Sequence, residues 1–469
     1  EQAVSAFMHM VHYHRNQTLL MQVPPSIPES FLPDNHTARS HIQNALHENR
    51  EWLTEVEAKS VLSAYGIPCV PTLLVTTPEE AARAMSDIGE PVALKILSPD
   101  IIHKSDVGGV ILNLEHPDEV REAAQAMLQR IALQYPKAQL DGFTVQAMVR
   151  KSAALELILG VIEDPQFGPV ILFGHGGTAV EIINDKTLEL PPLNMRLARS
   201  MVERTGVWKL LRGYRNQPAA DLESIELMLV RLSRLIIDLG EIVELDVNPL
   251  IADTNGVVAL DARIKIRPVD GNARNQLAIR PYPTEVEEDI KLGDGRTLLL
   301  RPIVPEDEPS IHRGFATLTK EEVRLRFFAP MKVLSHINAA RFTQIDYDRE
   351  MALILTDHGI PGKTDIHAVV RIFADPNNET AEFAIIVHHN MTGLGLGILL
   401  MRRIIDYARK RAIGELFGDV LSDNRAMLKL CKLLGFTQSY DFNEPGIVRV
   451  SLRLNDVIVP GQSNATGKN

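Results

Sequence analysis

One stretch limits the possible folds more than any other: AEFAIIVHHNMTGLGLGILLMRRIIDYA, Ala381–Ala408. Branched apolar residues favour an extended strand, alternate glycines at 393, 395 and 397 break it, and apolar residues at helical spacing follow. A strand, a glycine loop and a helix in that order let several backbone N–H groups surround an anion. The helix N-terminus behind them adds about half a positive charge. The spacing predicts a nest for a diphosphate, built from Thr392, Gly393, Leu394, Gly395, Leu396 and Gly397. A Rossmann dinucleotide loop is the first rival. Against it, the strand comes late in its domain and no ribose-binding acid ends a second strand ~20 residues on.

The 469 residues suffice for two or three domains, and a hydrophobic fraction of 45% gives each a core. A net charge of −11 without a long basic block argues against nucleic-acid binding. Two distant cysteines, Cys69 and Cys431, give no disulfide framework and no zinc pattern, and suit a reducing cytoplasm. No apolar run approaches the ~20 residues that cross a bilayer, so no membrane partner is expected. The chain opens at Glu1 with an uncapped, helically spaced segment, and the expectation is the C-terminal part of something longer.

Composition divides the chain as follows. Residues 1–22 are a helical remnant, and the proline-rich 23–39 are a linker. Residues 40–268 alternate strand and helix, an α/β or α+β body. Within it Thr54 and Glu57 form a capping box, and Gly66 with Pro68 stops that helix. Residues 269–288 are a polar linker, 289–456 a second α/β unit, and 457–469 a disordered tail. Repeats are absent.

Residues 296–453 resemble the GNAT N-acetyltransferases. The likeness rests on Thr392-x-x-Gly395-x-Gly397, on SDNRAMLKLCKLLGF ending in Gly435-Phe436, on the LRPIVPEDE opening and on strand order. It implies acetyl-CoA as co-substrate and attack of an amine on a thioester. Thr392 departs from the Gln or Arg usual in that loop, and Cys431 stands where many relatives carry a tyrosine acid. A lysine amine, with pKa ~10.4, must lose a proton first. Glu382, between Ala381 and Phe383, is the candidate base, and an apolar cleft around it is expected to raise its pKa; an ordinary solvent-facing strand residue is the plain alternative. Glu379 falls in a turn. Backbone N–H groups near Ile386 and Val387 are candidates for the oxyanion. Asn424 is equally a helix cap or a cofactor contact. Arg402 and Arg403 are within range of cofactor phosphates but read rather as a solvated helix face, and Cys431 reads as a buried apolar residue rather than a proton donor.

In the larger unit, Lys95 leaves a strand ahead of His103-Lys104 and the Gly108-Gly109 pair, a pattern able to hold nucleotide phosphates. Asp246 and Asn248 share a strand face, and Asp261 follows on the next strand. Carboxylate and amide oxygens with a triphosphate form a Mg²⁺ site. A structural salt bridge for Lys95 and turn chemistry for Asn248-Pro249 are the plain alternatives. Residues 50–265 resemble the ATP-grasp part of ADP-forming acyl-CoA synthetases through HKSDVGGV, DPQFGPVILFGHGGTAVE, LLRGYR, ELDVNPL and ALDARI. The resemblance implies Lys95 on phosphate, His103 near the phosphoryl path, Gln146 and Met148 at the adenine, Glu156 on ribose or metal, and Asn248 with Asp261 on Mg²⁺. The synthetases' CoA-binding half is missing, so full acyl-CoA synthesis is not expected of this chain.

The combination resembles the bacterial protein lysine acetyltransferases that modify acyl-CoA synthetases. It implies acetyl transfer to protein lysines, with an ATP-grasp unit that binds a regulatory ligand such as ATP, ADP or acyl-CoA. Partners are then proteins with reactive lysines, acyl-CoA synthetases among them; a homo-oligomer stays open. An ADP-forming acetyl-CoA synthetase and a small-molecule amine acetyltransferase are the alternatives. Glu322, Asp346 and Asp348 are candidates to attract a cationic acceptor, or else are simply solvated.

Overall fold

In a computed structural model the chain forms two compact units, Ser26–Ile279 and Arg280–Asn469 together with Glu1–Pro25. The structure describes residues 4–11, 13, 31–89, 91–98, 100–101, 104, 107–149, 154–177, 185–269, 277–440 and 446–454. Residues 4–11 form an exposed helix. Among the described residues no helix is long and apolar enough to cross a membrane.

The unit Ser26–Ile279 opens with α1 (Asn35–His47) and α2 (Glu55–Ala64). Helix α1 starts inside the expected linker, because Asp34 accepts from Thr37 N at 3.1 Å and caps it. Thr54 and Glu57 close the capping box of α2, as their spacing predicts. Strand β1 (Thr72–Val75), α3 (Pro78–Ile88), β2 (Val92–Leu97), β3 (Val110–Leu114), α4 (Pro117–Gln134) and β4 (Gly142–Ala147) follow. These strands form a four-stranded sheet in the order β1-β4-β2-β3. Its core joins Leu94 and Phe143 to Met85 of α3 and Met127 of α4. Next come β5 (Leu155–Asp164), β6 (Gly168–His175), β7 (Lys186–Glu189), α5 (Met195–Glu203), α6 (Leu222–Asp238), β8 (Ile242–Asp253), β9 (Gly256–Ala259) and β10 (Arg263–Ile266). They build a second sheet, β10-β8-β5-β6-β7, with β9 beside β8. Leu157, Phe173 and Ile264 pack there with Ile42, Leu62 and Leu232.

The second unit is one eight-stranded sheet. Its strands are β11 (Glu288–Lys291), β12 (Thr297–Pro302), β13 (Glu350–Thr356), β14 (Ile366–Ala374), β15 (Thr380–Val387), β16 (Glu415–Leu421), β17 (Thr437–Tyr440) and β18 (Ile447–Arg453). The order is β11-β12-β13-β14-β15-β16-β18-β17. Strand β11 begins at Glu288, the last residue of the expected second linker, by pairing with Leu300. Helices α7 (Glu308–Thr317), α8 (Lys320–Phe327) and α9 (His336–Thr343) precede β13, α10 (Leu396–Lys410) follows β15, and α11 (Arg425–Leu433) follows β16. Leu400, Met401 and Ile404 of α10 join Val370, Ile372 and Phe383 in the main core. Val369, one residue along, packs instead with Ile311 of α7, as strand alternation requires.

The pairing of β15 with β16 is the one feature of this sheet that places a site. It is parallel and spans only Thr380↔Glu415 to Glu382↔Phe417. Beyond Glu382 the two strands are no longer paired, while β16 stays paired with β18 up to Leu421↔Ile447. Phe383 accompanies the split: its ring fills the space a Cβ on Gly418 would need, 2.9 Å away, and meets Phe436 edge-on at 5.2 Å.

Candidate functional site

Gly393 and Gly395 both have positive φ, +83° and +76°, and a Cβ on either would meet nothing within 4 Å. Here glycine serves backbone conformation and leaves open space beside it. Gly395 is the N-cap of α10 and supplies no side-chain acceptor, and among the described residues no side-chain hydrogen bond caps the N–H groups of that helix's first turn. They adjoin a cleft of ≈ 600 Å³ lined by Val387, Thr392, Gly393, Gly395, Leu396 and Gly397 and by Lys429 and Lys432 of α11. That size suits a sizeable ligand. Uncapped donors beside two lysines suit an anionic one. Sequence reasoning passed over Lys429 and Lys432; their spacing in RAMLKLCKL puts both on one helix face, but which face is a tertiary fact.

Other expected members stand apart. Leu394 is exposed and absent from the lining. Thr392 Oγ1 donates to His389 O at 2.8 Å, a bond within the loop itself. Asn424 takes the cap role, accepting from Met427 N at 3.1 Å. Arg403 is no free helix-surface cation, since it forks onto Glu288 with two bonds of 2.7 Å; Arg402 is exposed. Cys431 is fully buried, and burial pushes its thiol up to about 11, which suits an apolar packing residue.

Glu382 corrects the expectation of an apolar cleft: its side chain is exposed. Ala381 and Phe383 face the core, so alternation turns the carboxylate outward at the point where β15 and β16 part. Its charge reaches Arg326, where it partly offsets the lowering that burial imposes on that guanidinium. Farther along β15, Ile386 lines a cavity beside α7–α9, whereas Val387 lines the glycine-loop cleft. The strand therefore runs between two chambers. The acids weighed for a cationic acceptor are mostly committed. Glu322 closes the cap of α8 and accepts from His389 N at 2.8 Å. Asp348 accepts from Arg280 at 2.9 Å and Arg411 at 2.8 Å. Asp346 accepts from Asp348 N at 3.0 Å.

In the other unit Lys95 Nζ lies 3.0 Å from Glu55 and 3.9 Å from Asp261. Glu55 also holds Lys59 at 2.8 Å and Lys104 at 3.6 Å. Lys59 donates to Thr72 Oγ1 at 2.8 Å and to Gln146 Oε1 at 3.0 Å. Burial alone would raise the Glu55 carboxyl; Lys95, Lys59 and Lys104 outweigh it and hold the group at about 2. For Lys59 burial wins and its pKa is lowered despite Glu55. The structure thus gathers Lys95, Gln146 and Asp261, and adds Glu55 and Lys59, which the sequence reading left inside a capped helix. Three lysines against two acids leave one positive charge, and Glu55 Oε2 is buried without a hydrogen bond among the described residues.

Gly108 serves backbone conformation, with φ +66°, and Gly109 serves packing. A Cβ on Gly109 would sit 2.6 Å from Ile96 Cγ2, and Gly109 N donates to Lys104 O at 2.7 Å. Met148 N donates to Pro91 O at 2.8 Å. Asn248 and Glu156 are exposed, and among the described residues neither has a hydrogen bond or ion pair to the lysine cluster. Asp246 is half-buried, and burial raises its pKa. His103 lies outside the described residues.

Residues 44–266 match the model of the ATP-grasp domain, and residues 326–436 that of the acetyltransferase (GNAT) family. The β subunit of an ADP-forming acetate–CoA ligase I from Pyrococcus furiosus is 38% identical over 227 residues, 48% of this chain and 97% of that one. An ADP-forming acetate–CoA ligase I from Archaeoglobus fulgidus is 40% identical over 208 residues, 44% of this chain but only 30% of that protein. An acetyltransferase from Pseudomonas aeruginosa is 31% identical over 150 residues, 32% of this chain and 80% of that one. The chain therefore belongs to the ATP-grasp family of the ADP-forming acetate–CoA ligase β subunits through its first unit, and to the GNAT acetyltransferases through its second.

Proposed function

We propose that the GNAT unit transfers an acetyl group from acetyl-CoA to the ε-amine of protein lysines, with acyl-CoA synthetases as the acceptor class. The observation that supports it is the uncapped N-terminus of α10 beside Lys429 and Lys432, opening next to the strand that carries Glu382. The diphosphate of acetyl-CoA fits those donors. Glu382, at the parting of β15 and β16, accepts the amine proton directly or through one water. The amine nitrogen then bonds to the thioester carbonyl carbon, and backbone N–H groups near Ile386 and Val387 stabilise the oxyanion. The C–S bond breaks as the nitrogen gives up its second proton to solvent or to the departing sulfur, and CoA leaves as thiolate or thiol; Cys431, buried and poorly acidic, is no proton donor.

For the ATP-grasp unit the better-supported reading is the nucleotide-handling half of an ADP-forming acyl-CoA ligase. It rests on the near-complete span of the Pyrococcus β subunit and on the lysine cluster. Lys95 and Lys104 hold phosphate in this reading, Asp261 and Asn248 hold Mg²⁺, and Gln146, Met148 and Glu156 hold the nucleoside. Mg²⁺ would supply charge neutralisation between phosphates. The same nucleotide, bound there, biases the transferase.

One pair of assays separates the readings. In the first, acetyl-CoA and an acyl-CoA synthetase are incubated with the chain, and acetyl-lysine is sought by mass spectrometry. In the second, acetyl-CoA, ADP, phosphate and Mg²⁺ are supplied, and ATP is sought. Acetyl-lysine is the expected product of the first. Acetylation of free amines alone moves the acceptor to small molecules, and no acetylation of either overturns the transferase reading. ATP formation establishes the ligase reading.

A further inference from the structure

The cavity on the α7–α9 side of the sheet holds two guanidinium groups among largely apolar walls, with Ser310, His367 and His388 as its other polar lining. It measures ≈ 90 Å³ and is lined by Ile311, Phe315, Phe327, Phe342 and Ile386, with Arg326 from α8 and Arg371 from β14. Arg371 is 4% exposed. Its one hydrogen bond among the described residues runs from Nη2 to Phe342 O at 2.8 Å, out of five N–H donors. The rings of Phe342 and Phe373 lie 5.0 and 5.4 Å from its Cζ. The Arg326 guanidinium sits 5.0 Å from the Phe327 ring centre and makes no hydrogen bond among the described residues. Neither arginine has a carboxylate within 4 Å among the described residues; Glu382 and Glu350 act on them only at longer range.

This unit pairs its other buried arginine. Arg301, 5% exposed, forks onto Asp307 with two bonds of 2.7 Å. Burying like charges near one another without a partner is costly, and the Arg326 charge already depresses the Arg371 guanidinium. A planar fork is matched best by a planar anion. A cavity of ~150 Å³ accommodates benzene, so this one takes a smaller group.

We propose that this cavity is an anion subsite for a carboxylate carried on a short aliphatic stem. Two sources share that chemistry: a free short-chain acid, and an aspartate or glutamate side chain of the acceptor protein near its target lysine. The second source rests on the transferase reading; the first does not. A lysine ammonium is repelled by the same two arginines, so the acceptor amine stays at the Glu382 side while its acidic neighbour occupies the cavity.

The test uses the whole chain. Butyrate and its neutral isostere butyramide are titrated by calorimetry, with acetyl-CoA titrated separately. Lysine peptides carrying a neighbouring glutamate or glutamine are then compared as acceptors. The expected result is a carboxylate preference of roughly tenfold or more in at least one arm, lost in Arg326→Gln while acetyl-CoA affinity is retained. Arg371→Gln serves as a second variant where it folds. Butyrate preferred over butyramide with equal peptides assigns the cavity to a free acid. A lower KM for the glutamate peptide, competed by butyrate, assigns it to the acceptor. No preference in either arm, or a preference that survives Arg326→Gln, overturns the proposal. Loss of acetyl-CoA binding in the unsubstituted chain would count against the transferase reading and leaves the butyrate arm to decide this one.

Discussion

Glu382 tests most directly what one side chain contributes. Its neighbours Ala381 and Phe383 belong to the core, and alternation then dictates an outward carboxylate. In the proposed mechanism the base is therefore supplied by position at the strand split and not by burial. Glu382→Gln keeps the shape and removes the proton acceptor. Turnover with a lysine acceptor should fall by ~10²–10⁴, with little change in acetyl-CoA affinity by calorimetry. Wild-type turnover would remove Glu382 from the role. The lysines of α11 do the reverse. Lys429→Ala with Lys432→Ala should weaken acetyl-CoA binding by roughly tenfold, and most at low salt, because both charges face the cleft of the glycine loop. An affinity insensitive to both changes places the anion elsewhere.

At the scale of elements, α2 carries more than its cap signature announces. Thr54 and Glu57 were readable because a capping box is local in sequence. Glu55 and Lys59 were not, because what makes them a site is Lys95 from β2, Gln146 from β4 and Asp261 past β9, all distant in sequence. The same reason hid the surroundings of Arg371, where no carboxylate lies within 4 Å among the described residues. The glycine loop was legible because strand, turn and helix are contiguous. The Glu55 knot has a pH signature. Its carboxyl titrates near 2 in the fold against an ordinary 4.5, so its contribution is full above about 4.5 and is lost as pH falls from there through 2. Glu55→Gln should cost ~3–5 kcal/mol at pH 7, since it strands three lysines around a buried site. Its melting temperature should also fall less steeply than the wild type's below pH 4.5. Parallel acid profiles would mean that the lysines do not depend on Glu55.

For the whole molecule, two compact units with separate cores should unfold as two transitions, and each ligand should mark its own. A ligand at a hundredfold excess over its Kd adds ~2.7 kcal/mol to the unit that binds it. For domains of this size that is a rise of roughly 5–10 °C. Mg-ATP is expected to move the transition of the ATP-grasp unit, and acetyl-CoA that of the GNAT unit, in differential scanning calorimetry. Regulation asks for more than two occupied sites. If nucleotide biases the transferase, acetyl-CoA must bind with a different affinity when Mg-ATP is present, and Mg-ATP must change by the same factor when acetyl-CoA is present. The expected factor is ~5–150, read by titrating each ligand against the chain saturated with the other. Equal affinities in both orders would leave an acetyltransferase tethered to a nucleotide-binding unit that does not govern it.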